Sequence, residues 1–448
     1  MTVLGVDIGT TSMKMGVFRL VDEGTVQSIR TFSAGYQLNV YNQGTFADIR
    51  QEKWLSAFRQ GCREMAELMT EVDALSLSGT TPGLSAMDAE GNPTYPAILM
   101  LDQRSRKEAA DIIASVGLDR LLSETANQPA AGGCSLASIL WIREHEPEAF
   151  RRTACFGHSN TFIAKWLTGR FAIDPSSASL SALYNTVRND LTWNRGIAAE
   201  VGLDPGVLPE VIPSQESAGR VRAELAAELG LTRRPPVIIG GNDAVLAAYD
   251  AGVREPGQVI NVNGTCEITL VCLPKCRPST EYNIRAHVLP GRWLTLYVMN
   301  AGGKAFEWFQ QLFCSEMPFE RFWSDFLPSA LSGWMDRESP ARYTPFLMGS
   351  RYSLEPLRAE FTGLNQETGR EELLAALVRG LYEYQGRHLR EISSQVALND
   401  EIFVTGGAVN DALIRAKKLW LRDCAYRRCD QSSLRGAALL AGQYLAKR

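Results

Sequence analysis

Short apolar runs and helically spaced apolar positions alternate along the chain. Residues 2–8 and 14–21 are apolar-rich and flank the polar Gly9-Thr10-Thr11-Ser12, which predicts a strand, a tight turn and a second strand. Apolar spacings of three and four predict helices at about 52–70, 104–115, 135–145 and 159–167. Asp88-Ala89-Glu90-Gly91-Asn92 separates two apolar runs and predicts a hairpin turn. Residues 170–235 are mixed and rich in turn formers. Arg233-Arg234-Pro235-Pro236 then precedes the apolar Val237-Ile238-Ile239, which predicts a domain boundary, with one domain at 1–236 and a second at 237–448. Beyond it the pattern predicts a helix near 244–252, strands at 258–263, 267–273 and 293–299, and helices at 303–313 and 370–397. A last strand at 402–404 leads through Thr405-Gly406-Gly407 to helices at 410–423 and 433–446. Strands and helices alternate in both halves, so the expected class is α/β.

The pattern also echoes itself. Residues 3–18 read VLGVDIGTTSMKMGVF and residues 259–272 read VINVNGTCEITLVC. Each is an apolar strand, a Gly-Thr turn and another apolar strand. Two related domains that each open on such a hairpin would leave this trace, and so would chance, because Gly-Thr turns are common.

Composition narrows the class. The 448 residues suffice for two or three domains, and 45% hydrophobic with 21% charged residues is ordinary for a globular protein. A net charge of -4 without a basic block speaks against a nucleic-acid partner. The nine cysteines are scattered, without a CxxC pair, so neither a disulfide framework nor a structural zinc site is expected. The first residues read as a strand rather than a signal peptide, and no run of about 18 apolar residues occurs. These features lead us to expect a cytoplasmic protein that does not engage a membrane.

Three glycine-containing turns carry the candidate chemistry. In Asp7-Ile8-Gly9-Thr10-Thr11-Ser12-Met13-Lys14, amides and hydroxyls can cradle phosphate oxygens, Lys14 can reach the same phosphates, and Asp7 can hold Mg²⁺. An ordinary hairpin whose Asp and Thr satisfy turn amides explains the same residues. Gly240-Gly241-Asn242-Asp243 ends a strand and opens a helix, where amides face a ligand, or where Asp243 simply caps the helix. Gly406-Gly407-Ala408-Val409-Asn410-Asp411 has the same placement. None is a Rossmann fingerprint, and Gly302-Gly303-Lys304 is not a Walker A motif, because Val298 stands where its first glycine belongs.

Taken in order, these segments resemble the FGGY carbohydrate kinases of the actin/hexokinase/Hsp70 ATPase-fold superfamily, over nearly the whole chain. The similarity includes Ser78-Gly79-Thr80-Thr81-Pro82-Gly83, Pro96-Ala97-Ile98-Leu99-Met100-Leu101-Asp102-Gln103-Arg104 and Leu434-Arg435-Gly436-Ala437-Ala438. The resemblance implies two ribonuclease H-like (actin-like ATPase) domains flanking a deep cleft, closing about residues 233–243. It implies ATP-dependent phosphorylation of a sugar or polyol hydroxyl, with Asp243 as catalytic base and Asp7 on Mg²⁺. Thr10, Thr11, Ser12, Lys14, Gly264 and Thr265 would hold the phosphates of ATP. Gly303, Gly406, Gly407 and Asp411 would line the adenosine pocket. Thr80, Thr81, Asp102 and Arg104, with Asp243, would face the sugar, although Arg104 equally suits a structural ion pair.

Departures bear on the substrate. Xylulokinases usually carry Gln-Met-His-Gly where this chain has Thr80-Thr81-Pro82-Gly83, and often Asn where it has Ala244. Gly264-Thr265-Cys266-Glu267 is closer to the Gly-Thr-Trp-Glu of L-fuculokinases, while Leu101-Asp102-Gln103-Arg104 is similar to glycerol kinases. Asp48-Ile49-Arg50 replaces the family's Glu-x-Asp, and Val262 stands where a second Asp7 would be. The sugar therefore stays open, and a homodimer is among the expected partners. A non-kinase ATPase of the same superfamily and a catalytically silent sugar-binding regulator are the alternatives. The 78–104 segment speaks against the first, and the intact Asp7 and Asp243 against the second.

Overall fold

The computed structural model describes residues 1–22, 24–350 and 357–447. Its chain forms two compact units, Met1–Gly252 with Lys275–Leu294 and Gln431–Arg448, and Val253–Pro274 with Thr295–Asp430. The boundary expected between 236 and 237 falls inside the first unit. There the strand Pro236–Asn242 pairs in parallel with Val72–Gly79 and so completes the sheet that begins at residue 2.

The sheet of the first unit runs Ser217–Arg220, Pro236–Asn242, Val72–Gly79, Thr2–Ile8, Ser12–Asp22, Thr25–Gly35. Its parallel centre is buried on both faces, so Thr2–Ile8 and Pro236–Asn242 read as largely apolar runs rather than alternating ones. Gly16 leaves room for the Leu434 side chain of the helix Ser433–Ala446. Its neighbour Met15 meets Gly61 of the helix Glu52–Glu64. Adjacent strand residues point to opposite faces, so the two helices cover opposite faces of the sheet. A second sheet in this unit orders Asn39–Tyr41, Phe46–Ile49, Pro93–Leu99, Gly83–Met87 and Cys155–Gly157.

In the second unit the order is Trp293–Met299 (from Thr295 on), Glu267–Leu273, Val259–Asn263, Glu401–Thr405, Ala425–Arg428. The hairpin echo is therefore structural. In each unit an antiparallel hairpin uses its first strand to pair in parallel with a later strand, Val72–Gly79 in one and Glu401–Thr405 in the other.

Most predicted helices form near their expected bounds, among them Ser135–His145, Gly303–Phe313 and Ser433–Ala446. The expected 52–70 helix breaks at Met65, whose φ of -117° is not helical. The sequence pattern missed Val72–Gly79 and Thr25–Gly35. Ser76 and Ser78 interrupt the apolar run of the first yet are fully buried, and the second is mostly exposed, so neither shows a clean strand signature. All nine cysteines are free thiols.

Candidate active site

Three strands of the first unit end side by side. Asp7 lies opposite Ser78, and Ser78 opposite Gly241; one residue on, Ile8 lies opposite Gly79, and Gly79 opposite Asn242. The carboxyl ends of parallel strands are where open α/β sheets place ligands. The turn Gly9–Ser12, the segment Thr80–Thr81 and Asp243 therefore leave the sheet at one edge. Thr80 N donates to Ile8 O at 2.9 Å, and the Thr10 and Thr80 hydroxyls lie 3.2 Å apart. The expected phosphate turn and the expected substrate segment thus meet through a hydrogen bond. Gly9 N donates to Ser12 O at 3.0 Å, closing the turn, and the Tyr36 hydroxyl donates to Gly9 O. Burial and the charge of Asp7 both raise the Tyr36 pKa, so the phenol keeps the proton it donates. Thr11 and Lys14 are exposed, while Asp7 is buried and accepts from Ser78 Oγ at 2.6 Å.

Asp243 is not the helix cap. Asn242 is, with its side-chain oxygen accepting from Val245 N at 3.3 Å. Asp243 is the first residue of the helix Asp243–Asp250, and its Oδ1 accepts from Ala244 N at 2.7 Å and from Asn242 Nδ2 at 2.9 Å. Burial, followed by the negative charge of Asp7, pushes its pKa up to about 6. The Ala244 amide, the positive charge of Arg285 and Asn242 oppose that rise. A carboxylate poised near 6 is ionised at neutral pH yet basic enough to take a proton. The bulge that aims this turn requires glycine, since Gly240 has φ of +67° and a Cβ there would lie 1.7 Å from Leu77 O.

Asp102 and Arg104 differ from expectation. Asp102 is fully buried, and its oxygens accept from Ala47 N at 2.6 Å, Arg104 N at 2.9 Å and Arg104 Nε at 2.9 Å. Arg104 also pairs with Asp48 at 3.0 Å and lies over Phe46 and Trp141, 4.2 and 5.0 Å from their ring centroids. A side chain saturated in this way within a sealed core offers nothing to a sugar. The structural ion pair is what forms, and the substrate assignment of both residues is corrected accordingly. Thr80 and Thr81 stay at the strand-end edge, although Thr81 Oγ1 already donates to Gly79 O at 3.3 Å. Trp54 is core, 1% exposed.

The second unit gathers its own glycines. Gly303 N donates to Gly264 O at 2.8 Å, Gly302 N to Thr265 O at 2.9 Å and Ala408 N to Asn263 O at 3.0 Å. Gly406 adopts φ of +102°, and a Cβ there would lie 2.1 Å from Asn263 O. The hairpin turn, the start of the helix Gly303–Phe313 and the Gly406–Gly407 turn thus form one backbone-lined surface, with Thr265 and Gly407 exposed. Asp411 opens the next helix, where it pairs with Arg428 at 2.6 Å and stays exposed. Beneath this surface, Glu267 accepts from the buried Lys417 and from Asn261 Nδ2 at 3.0 Å. Lys417 was not legible as part of this cluster, because 150 residues separate it from Glu267.

Residues 2–249 match the model of the FGGY family of carbohydrate kinases, N-terminal domain. The chain is 26% identical to the xylulose kinase of Staphylococcus xylosus over 452 residues, 98% of this chain and 90% of the relative. It is 28% identical to the xylulose kinase of Lactococcus lactis subsp. lactis (strain IL1403), over 92% of this chain and 81% of the relative. The crystal structure of xylulose kinase from Rhodospirillum rubrum superposes with a TM-score of 0.89 at 23% identity, covering 98% of this chain and 89% of that one, a likeness of fold. With a family model spanning more than half of its length, the chain belongs to the FGGY family of carbohydrate kinases.

Proposed function

We propose that this kinase transfers the γ-phosphoryl group of ATP to a hydroxyl of a ketopentose, with Asp243 as the base. The observation that supports it most is the state of Asp243. It stands at the shared edge of three strands, relieved of capping by Asn242 and held near a pKa of 6 by burial and Asp7. Phosphoryl transfer through a loose transition state asks for alignment and charge neutralisation, and for a base that takes the hydroxyl proton late. Asp243 accepts that proton at the carboxylate oxygen not engaged by Ala244 N and Asn242 Nδ2. Thr10, Thr11, Ser12 and Lys14 hold phosphate oxygens, and Thr80 and Thr81 face the sugar. In the second unit, Gly264 and Thr265 contact phosphate, and Gly303, Gly406, Gly407 and Asp411 bind the nucleoside.

Asp7 fits Mg²⁺. It is a buried carboxylate with Oδ1 fixed by Ser78, and its charge already works against that of Asp243. Mg²⁺ takes one or two such oxygens and keeps water and phosphate for the rest. When bound, it would neutralise phosphate charge. Among the described residues no helix is long and apolar enough to cross a membrane, and we place the enzyme in the cytoplasm. The ketopentose reading draws on the relatives named xylulose kinase, while Thr80, Thr81 and Ala244 depart from the usual xylulokinase residues. A panel of ketopentoses, deoxysugars and polyols in an ADP-coupled assay tests it. D-xylulose or a neighbouring ketopentose should give the highest kcat/KM, and a clear preference for a polyol such as glycerol would overturn the substrate class.

A further inference from the structure

Asp243 owes its place to residues that sit far from it in sequence. The strand Pro236–Asn242 pairs through Ile238 with Ser76 and then, after the bulge at Gly240, through Gly241 with Ser78. Past the bulge, Asn242 N donates at 2.8 Å to the buried Ser176 Oγ. A serine hydroxyl has one proton. Because the amide can only donate, Ser176 accepts there and gives its own proton to Asp174 Oδ1. Asp174 is fully buried and also accepts from Ser177 N at 3.0 Å and from Asn160 Nδ2 at 2.8 Å. Burial raises its pKa, and those bonds oppose the rise without cancelling it. The approach is close enough to require glycine beside it, since a Cβ on Gly241 would lie 2.9 Å from Ser176 Oγ.

Asn242 then passes this fixed position on in two ways. Its side-chain oxygen caps the helix that begins at Asp243, and its Nδ2 donates to Asp243 Oδ1 at 2.9 Å. We propose that Ser176, clamped by Asp174, is a positioning residue for phosphoryl transfer. It holds the backbone of Asn242 so that Asn242 presents the Asp243 carboxylate in one orientation. Neither Ser176 nor Asp174 touches substrate. The proposal rests on the reading of Asp243 as the base.

The test is a double-mutant cycle of Ser176→Ala and Asp243→Asn in the full-length enzyme, with melting temperature and nucleotide binding measured alongside turnover. Ser176→Ala should lower kcat by about 10- to 100-fold, up to the scale of a misplaced catalytic group, with nucleotide affinity unchanged. Its acid limb in kcat/KM should move to higher pH, because the Asn242 bond that lowers the Asp243 pKa is loosened. In the Asp243→Asn background the same change should cost less than about 2-fold, since there is no base left to place. An equal loss in both backgrounds, or an unshifted acid limb with kcat falling only as folded protein is lost, would make Ser176 structural and overturn the proposal. If Asp243→Asn itself keeps wild-type turnover, it is the base reading that fails. Should Ser176→Ala not fold, Asp174→Asn is carried through the same cycle and must show the same dependence on Asp243.

Discussion

Replacing Asp243 by Asn separates catalysis from folding, because the structure assigns the cap to its neighbour. Asn242 caps the helix in wild type and variant alike, and Asn at 243 keeps an oxygen to accept from Ala244 N. The variant loses a negative charge that the fold holds at a cost. The displacement of the Asp243 pKa from 3.8 to about 6 corresponds to roughly 3 kcal/mol at about 1.36 kcal/mol per tenfold change in acidity. The sign follows from a folded-state pKa above the unfolded one. Above pH 6 the folded carboxylate is ionised and penalised, so a neutral Asn should stabilise the protein by ~1–3 kcal/mol. Below about pH 4 both states are protonated and the gain should vanish. Turnover should fall by ~10²-fold or more, the usual scale of a lost base. Thermal melting of both proteins from pH 4 to 8, with nucleotide binding and turnover at pH 7.5, checks all three. Near-normal turnover would refute Asp243 as the base. A variant less stable than wild type at pH 7.5 would refute the electrostatic account of its environment.

Other outcomes follow from the same geometry. In the enzyme free of Mg²⁺ and nucleotide, Asp243 should titrate near pH 6, and Asp7→Asn should lower that value by removing the neighbouring charge, which carboxyl NMR across a pH series measures. The same Asp7 variant should need more Mg²⁺ for half-maximal rate; equal activity across a full Mg²⁺ titration would remove Asp7 from the metal. Thr265→Val and Thr11→Val should weaken ATP binding to a comparable degree by calorimetry, and a response of the first hairpin alone would remove the second from phosphate binding. Asp102→Ala should destabilise the fold by ~3–5 kcal/mol, because it leaves the buried Arg104 with only Asp48 to neutralise it; a folded variant with a selectively raised sugar KM would restore Asp102 to the substrate side.

The α/β alternation, both Gly-Thr hairpins, the turn ahead of Asp243 and the closing helix were legible because each is local. A strand–turn–strand pattern or a glycine before a helix is written in consecutive residues, and its chemistry follows from their types. Motif order carried the family for the same reason. What the chain could not show locally was left to tertiary contact. Val72–Gly79, the strand at the centre of the site, hid behind two buried polar residues, Ser76 between Gly5 and Ile238 and Ser78 between Asp7 and Gly241. The resemblance set Asp102 and Arg104 toward the sugar, with an ion pair equally open for Arg104, and nothing in their own segment reveals Asp48, Ala47 and the aromatic rings that enclose them. Base and cap at residues 242–243 are separated by backbone angles, not by residue type, since Asn and Asp cap equally well. Ser176 reaches Asn242 across 66 positions, and Lys417 reaches Glu267 across 150. A sequence specifies such pairs only through the fold that brings them together, because a hydrogen bond or an ion pair acts over a few ångströms of space and has no regard for distance along the chain.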